Sequence, residues 1–171
     1  MQNIILSKDI TSVINLNILK AHLRIEHNHE DEYLKTIIKM ATKIIEDQLE
    51  ESLLVKEYLL SYYPDISAQL HKVKLPIRNT VRIIKVIQNE VPISYKLQRN
   101  TNEISFVPKS FDSPVSIYYS AGIATDLQHV PDELKFVILQ VAKNIYDCSE
   151  ENILESNYIK NVLQRRRYIR L

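Results

Sequence analysis

Residues 19–49, LKAHLRIEHNHEDEYLKTIIKMATKIIEDQL, decide how the rest of the chain is read. Leu34, Ile37, Ile38, Ala41, Ile44, Ile45 and Leu49 recur at the spacing of a helix that buries one side. The residues before them read as a shorter helix, and the connection at 26–32 packs four acids and two histidines into seven residues. A helix pair joined by so polar a turn frames either a site or a surface.

Working outward, Asn15 can cap a first helix over about 16–26, with Leu16, Leu19 and Leu23 on one face. The second helix is expected over 29–50, capped by Asn28, with Asp31 in a shortened capping box and the acids of its first turn favoured by the helix dipole. Asp31 with Lys35, and Lys43 with Asp47, have the spacing of stabilising pairs on the solvent side. Residues 1–14 read as an edge strand or an ordered arm. Between 53 and 120 the pattern changes to short runs rich in β-branched and aromatic residues: 53–63, 73–76, 81–88, 94–98, 104–107 and 115–120. Asn89-Glu90 and Asn100-Thr101-Asn102 read as hairpin connections, which predicts an antiparallel sheet built from hairpins. The helical period returns at 131–148, with Pro131 at the first position, a stripe of Leu134, Val137, Ile138, Val141 and Ile145, and Phe136, Leu139 and Ala142 widening it. This gives an α+β fold: residues 1–150 as one domain, the helix pair and the long helix packed together around an inserted sheet. Residues 151–171 form a basic, partly helical extension.

Composition narrows the chemistry. The 171 residues carry a net charge of +1, so no global field points to nucleic acid or a membrane. One cysteine, Cys148, precludes an internal disulfide, and the acids beside it favour an inert thiol. The N-terminal run is too short for a secretory leader, and nothing approaches the roughly 20 apolar residues of a membrane span, so a soluble protein of a reducing compartment is expected. There is a single glycine, Gly122, where average usage would give about a dozen. Multi-glycine phosphate loops and Gly-x-Ser-x-Gly elbows are therefore excluded.

His22 and Glu26 stand four residues apart, a spacing that can present two ligands to one ion, and His27, His29, Glu30 and Asp31 follow. The His-Glu-x-x-His arrangement is missing and helix caps account for the remaining acids, so no metal, cofactor or catalytic residue is expected. A metal-dependent enzyme is the alternative this turn leaves open. Lys72, Lys74, Arg78, Arg82 and Lys85 give the middle strands a basic tint, but aromatics do not alternate with them as a base-stacking platform requires. The clearest charge asymmetry is the end of the chain, where Lys160, Arg165, Arg166, Arg167 and Arg170 follow Asp147, Glu150, Glu151 and Glu155. It reads either as a solvated end or as an arm for an acidic partner or neighbouring subunit, with Tyr168, Ile169 and Leu171 as anchors.

Four stretches taken in order resemble the head–tail connector (adaptor) proteins of long-tailed phages, prophages and gene-transfer particles. Leu19-Lys20-Ala21-His22-Leu23-Arg24-Ile25 is similar to that family's opening helix, and Asp31-Glu32-Tyr33-Leu34 through Ile45-Glu46 to its second. Val73-Lys74-Leu75-Pro76 with Val81-Arg82-Ile83-Ile84-Lys85-Val86 resembles its Leu-Pro strand pair. Val115 through Gly122, then Val130-Pro131 and the helix to Tyr146, resembles its closing segment, with the one glycine where the family places one. The chain departs from the pattern in having Asn79-Thr80 in place of a proline, and no arginine in Tyr146-Asp147-Cys148-Ser149. The resemblance implies a non-enzymatic virion protein at the head–tail junction, held in the host cytoplasm before assembly. Some dozen copies would form a ring under the portal protein, extend the DNA channel and receive tail or stopper (head-closure) proteins. Arg24, Lys35, Lys39 and Lys43 are candidates for the subunit interface; Arg165, Arg166, Arg167, Tyr168 and Arg170, in a tail outside the resemblance, are candidates for partner binding by their charge. The rival reading is a small nucleic-acid-binding regulator using the Arg-rich tail.

Overall fold

The structure is a computed structural model and describes residues 2–5, 12–149 and 153–168. In chain order its elements are β1 (Gln2–Ile5), α1 (Leu16–Leu23), α2 (Asp31–Leu49), β2 (Lys56–Tyr62), β3 (His71–Lys74), β4 (Thr80–Gln88), β5 (Val91–Pro92), β6 (Tyr95–Gln98), β7 (Glu103–Phe106), β8 (Val115–Ala121), α3 (Asp132–Tyr146), a single 3-10 turn (Ile153–Glu155) and α4 (Asn157–Tyr168). The fold is α+β, as expected, and divides into two compact units. One, Met1–Asp9 with Glu50–Ile123, holds all the strands; the other, Ile10–Leu49 with Ala124–Leu171, holds all the helices.

In the strand unit every pairing is antiparallel, but the sheet is not a run of hairpins. There are two sheets, of order β1-β2-β8-β4-β5 and β3-β7-β6. Among the described residues only β4-β5 and β6-β7 join neighbours by short turns. The last strand, β8, lies at the centre and pairs with β2 from Lys56↔Ala121 to Tyr62↔Val115. The physical reason is that alternation fixes which face a residue takes, not which strand lies beside it. Both sheets share one core of Tyr58, Leu60, Val73, Val86, Ile104, Phe106, Ile117 and Tyr119, with the Tyr58 and Tyr119 rings stacked 5.3 Å apart. The expected turn at Asn89-Glu90 is present, and both residues adopt positive φ (49° and 65°), as a primed two-residue turn demands.

Two amides hold the irregular parts. Buried Gln88 donates to the carbonyls of Ser110 and Ser113 (both 2.7 Å) and accepts from the N–H groups of Lys109 (2.8 Å) and Ser110 (3.1 Å). Asn102, at φ 55°, donates to the carbonyls of Leu75 (3.0 Å) and Ile77 (2.9 Å) and accepts from the Thr80 hydroxyl (2.7 Å). His71 is buried among Tyr62, Phe106 and Phe111. Because the Ala68 carbonyl can only accept, Nε2 donates to it (2.9 Å), and the Tyr62 hydroxyl donates to Nδ1 (3.0 Å).

In the helical unit α2 packs on α3. The stripe Leu34, Ile37, Ile38, Ala41, Ile45 and Leu49 is buried, as are Leu134, Val137, Ile138, Val141 and Ala142. The helix ends differ from the sequence reading. Helix α1 stops at Leu23 because Arg24 takes a left-handed conformation (φ 58°) that cannot propagate it. Helix α2 starts at Asp31, and the side chains expected to cap it are taken by Lys20 instead. Pro131 is the cap of α3, one position before the helix. Phe136, read as part of the buried stripe, is 43% exposed: it lies two residues from Leu134, about 200° around the helix. The end of the chain forms α4, which buries Ile159, Val162 and Leu163.

Candidate assembly surfaces

The polar turn of the opening stretch is organised around a residue the sequence reading passed over. The Lys20 ammonium donates to Asn28 Oδ1 and, at 2.9 Å, to Asp31 Oδ1, with only 10% of its side chain exposed. Lys35, expected to pair with Asp31, pairs with Glu32 at 2.6 Å, and this bond holds its ammonium above the usual lysine range. Lys43 pairs with Asp47 at 2.7 Å as expected. Lys39, between them, is exposed and makes no ion pair among the described residues, and Arg24 likewise makes none. Met40, half exposed, completes this outward face of α2, while Tyr33, also half exposed, lies beside the Tyr146 ring of α3, 6.4 Å between centroids.

The candidate metal ligands of the turn stand apart. Helix α1 ends at Leu23, so Glu26 is no longer one helical turn from His22. His27 and His29 stand exposed with ring centroids 5.7 Å apart, and His22 Nε2 is buried without a hydrogen-bond partner. Among the described residues no three His, Cys, Asp or Glu side chains converge. Cys148 is exposed, one residue beyond the Asp147 that pairs with Lys143. In the strand unit a shallow groove of about 650 Å³ is lined by Lys85, Glu90, Pro92, Ile93, Tyr95 and Tyr118, with the Lys85 ammonium 4.4 Å from the Tyr118 ring centroid.

Helices α3 and α4 present a second outward face. Phe136 and Tyr158, 43% and 49% exposed, meet edge to face at 5.7 Å. Glu133 reaches Arg165 at 3.7 Å, and Asp132 pairs with Lys135 at 3.0 Å. The aromatic pair could have been found from the helical angle of Phe136. Of the tail candidates, Arg165 is exposed and Arg166 partly buried, its Nε without a partner. The side chains of Arg167 and Tyr168, and Arg170 entirely, lie outside the described residues.

Tyr146 closes the helical unit by donating to Glu30 Oε2 at 2.9 Å. That bond, then burial, raises the phenol above the ordinary tyrosine range. A phenol with a raised folded value binds its proton more tightly when folded, so its contribution is complete below the ordinary value of 10.0 and lost as pH rises beyond it. Tyr146→Phe should therefore lower the thermal stability at neutral pH, and the gap from the parent should close above the tyrosine range. An unchanged gap across that range would contradict this.

These features define a fold class: an α+β protein with two antiparallel sheets and, on the outward faces of its helices, charged side chains and an aromatic pair. The sequence matches the phage gp6-like head-tail connector protein family over residues 13–121, well over half its length, and the chain belongs to that family. No curated protein matches the sequence. Among solved structures, the fold is similar to chains in the neck of an empty gene transfer agent particle computed with C6 symmetry and the neck of a native one computed with C12 symmetry. Each has a TM-score of 0.77 at 16% identity. A chain of the virion of the native gene transfer agent particle gives 0.74 at 15%. Each comparison covers 100% of this chain and 97% of the other. Among the described residues no helix is long and apolar enough to cross a membrane.

Proposed function

We propose that this chain is a neck subunit of a virion, which assembles from the host cytoplasm into a ring of about twelve copies between the portal protein and the tail or stopper proteins. The ring would extend the channel through which DNA passes. The family match over residues 13–121 carries this reading. The symmetries of the neck structures whose fold it shares support a ring.

The helical unit offers two different outward faces that such a ring would use. A head-to-tail ring joins two different patches, one on each side of the subunit. Because α2 and α3 bury their stripes against each other, their polar faces point in opposite directions. Lys35, Lys39 and Lys43 belong to one side, and Asp132, Glu133 and Phe136, with Tyr158 against Phe136, to the other; Arg24, at the end of α1, is a further interface candidate. The first carries three lysines, two of them paired with Glu32 and Asp47; the second begins with acids and offers an exposed aromatic pair. The end of the chain, Arg165, Arg166, Arg167, Tyr168 and Arg170, is the candidate contact for an acidic face of the portal.

Electron microscopy of the chain mixed with the portal protein of the same genome should show a closed ring on the portal. Lys39→Glu, at a site with no ion pair to lose, should cut ring occupancy at least several-fold while the melting temperature stays at the parent value. Absence of rings at every concentration tried would sink the connector reading. Full occupancy in the Lys39 variant would remove only this face from the interface.

A further inference from the structure

Positive charge is distributed unevenly between the two units. In the helical unit most cations meet a carboxylate, as Lys20, Lys43 and Lys143 do. In the strand unit Lys72, Lys74, Lys96 and Arg99 are exposed and have no acid within ion-pair distance among the described residues. The register of the three-stranded sheet collects the three lysines on one side. Rows run Lys72–Ser105–Lys96 and Lys74–Glu103–Gln98, while His71, Val73, Ile104 and Phe106 point into the core. Two strand spacings of about 4.8 Å place Lys72 and Lys96 roughly 10 Å apart, and Lys74 lies roughly 7 Å along the strand from Lys72. Arg99 follows β6 in the turn at the end of this face. Its one acid, Glu103, accepts a hydrogen bond from the Thr101 hydroxyl at 3.3 Å.

We infer that this face is a sequence-independent contact for the phosphate backbone of double-stranded DNA. All six outward positions are polar: three lysines, a glutamate, a serine and a glutamine. A protein partner of comparable area would want an aromatic or aliphatic anchor at its centre, and here the centre is Ser105. A polyanion wants only spaced cations and polar groups. Lysine, a flexible point charge, suits a contact that must not fix register, and no aromatic stands among the outward positions to stack a base. Two of the five cations that tint the middle strands, Lys72 and Lys74, thus belong to a backbone surface, not a base-reading one. This goes beyond the connector reading and needs no ring.

The test is fluorescence anisotropy of the free 171-residue chain with a short labelled duplex, at ionic strengths from about 50 to about 200 mM. Three lysines releasing counterions give a log–log slope near −2.7, a weakening of about 40-fold across that range. Lys72→Gln, Lys74→Gln and Lys96→Gln together should abolish binding and leave the melting temperature unchanged, since none of these side chains makes an ion pair. The corresponding triple arginine variant should retain the slope. Glutamine at Arg165, Arg166 and Arg167 should also leave it intact. Undetectable binding at the lowest salt, loss on changing the tail but not the sheet, or displacement by polyglutamate as effective as by unlabelled duplex would each overturn the inference. Because the free chain is used, any of these results leaves ring formation, read by microscopy, standing on its own.

Discussion

Replacing Gly122 by alanine is expected to cost the strand unit about 3–5 kcal/mol, a large part of the roughly 5–15 kcal/mol that holds a domain of this size together. Gly122 follows β8 with φ 155°, and its N–H donates to the Asn79 carbonyl at 3.2 Å. A Cβ there would lie 2.5 Å from the Leu54 carbonyl oxygen and 2.6 Å from Leu54 C and Val55 Cα. All three are backbone atoms, so no side chain can swing aside. Two costs add: a backbone conformation that L-residues avoid, and a clash relieved only by separating the connection at Leu54-Val55 from the end of β8. Denaturant unfolding should show the midpoint falling steeply for Gly122→Ala, and adding Leu54→Ala should not rescue it. A midpoint near the parent value, or rescue by that second change, would show that the close approach is not what the glycine serves.

How much of this was legible in the sequence follows from what periodicity can encode. The stripe of α2 was readable because helical spacing specifies a face, and six of its seven positions are buried, with Ile44 at the margin. Strand positions were readable within a few residues for the same reason. Strand order was not: β8 sits between β2 and β4 although 52 residues separate Tyr62 from Val115, and local alternation carries no record of such a partner. Gly122 stood out by its isolation, but the reason for it lies in the backbone of Leu54, far away in sequence. Phe136 was legible and was misread, because counting apolar residues near a stripe is not the same as measuring their angle around the helix. The polar turn shows the opposite failure. Six acids and histidines drew attention, whereas the lysine that organises two of the turn's polar groups sits in the preceding helix, where solvated lysines are the rule.

Lys20 is therefore the second residue at which a large effect is expected. It is 8% exposed and sits in α1 directly after the fully buried Leu19. Its ammonium joins Asn28 in the turn to Asp31 at the start of α2. Lys20→Met keeps the length and apolar stem but leaves the Asp31 carboxylate, 31% exposed, without its cation, and Asn28 Oδ1 without its donor. Breaking a wholly buried pair costs about 3–5 kcal/mol, and the partial access of water to Asp31 brings the expectation down to about 2 kcal/mol. Asp31→Asn should cost less, because the amide still accepts a hydrogen bond. The double variant should cost clearly less than the two single changes summed, which is the signature of a direct interaction. Hydrogen exchange should localise the damage: amides of α1 lose protection while those at the α2–α3 contact keep theirs. Strict additivity in the cycle, or a loss for Lys20→Met within the ordinary range of surface changes, would mean that α1 is held by Leu19 and its apolar neighbours alone. The expected outcome makes the polar turn a clasp between two helices. Its charge then serves to fix the angle at which α1 meets α2.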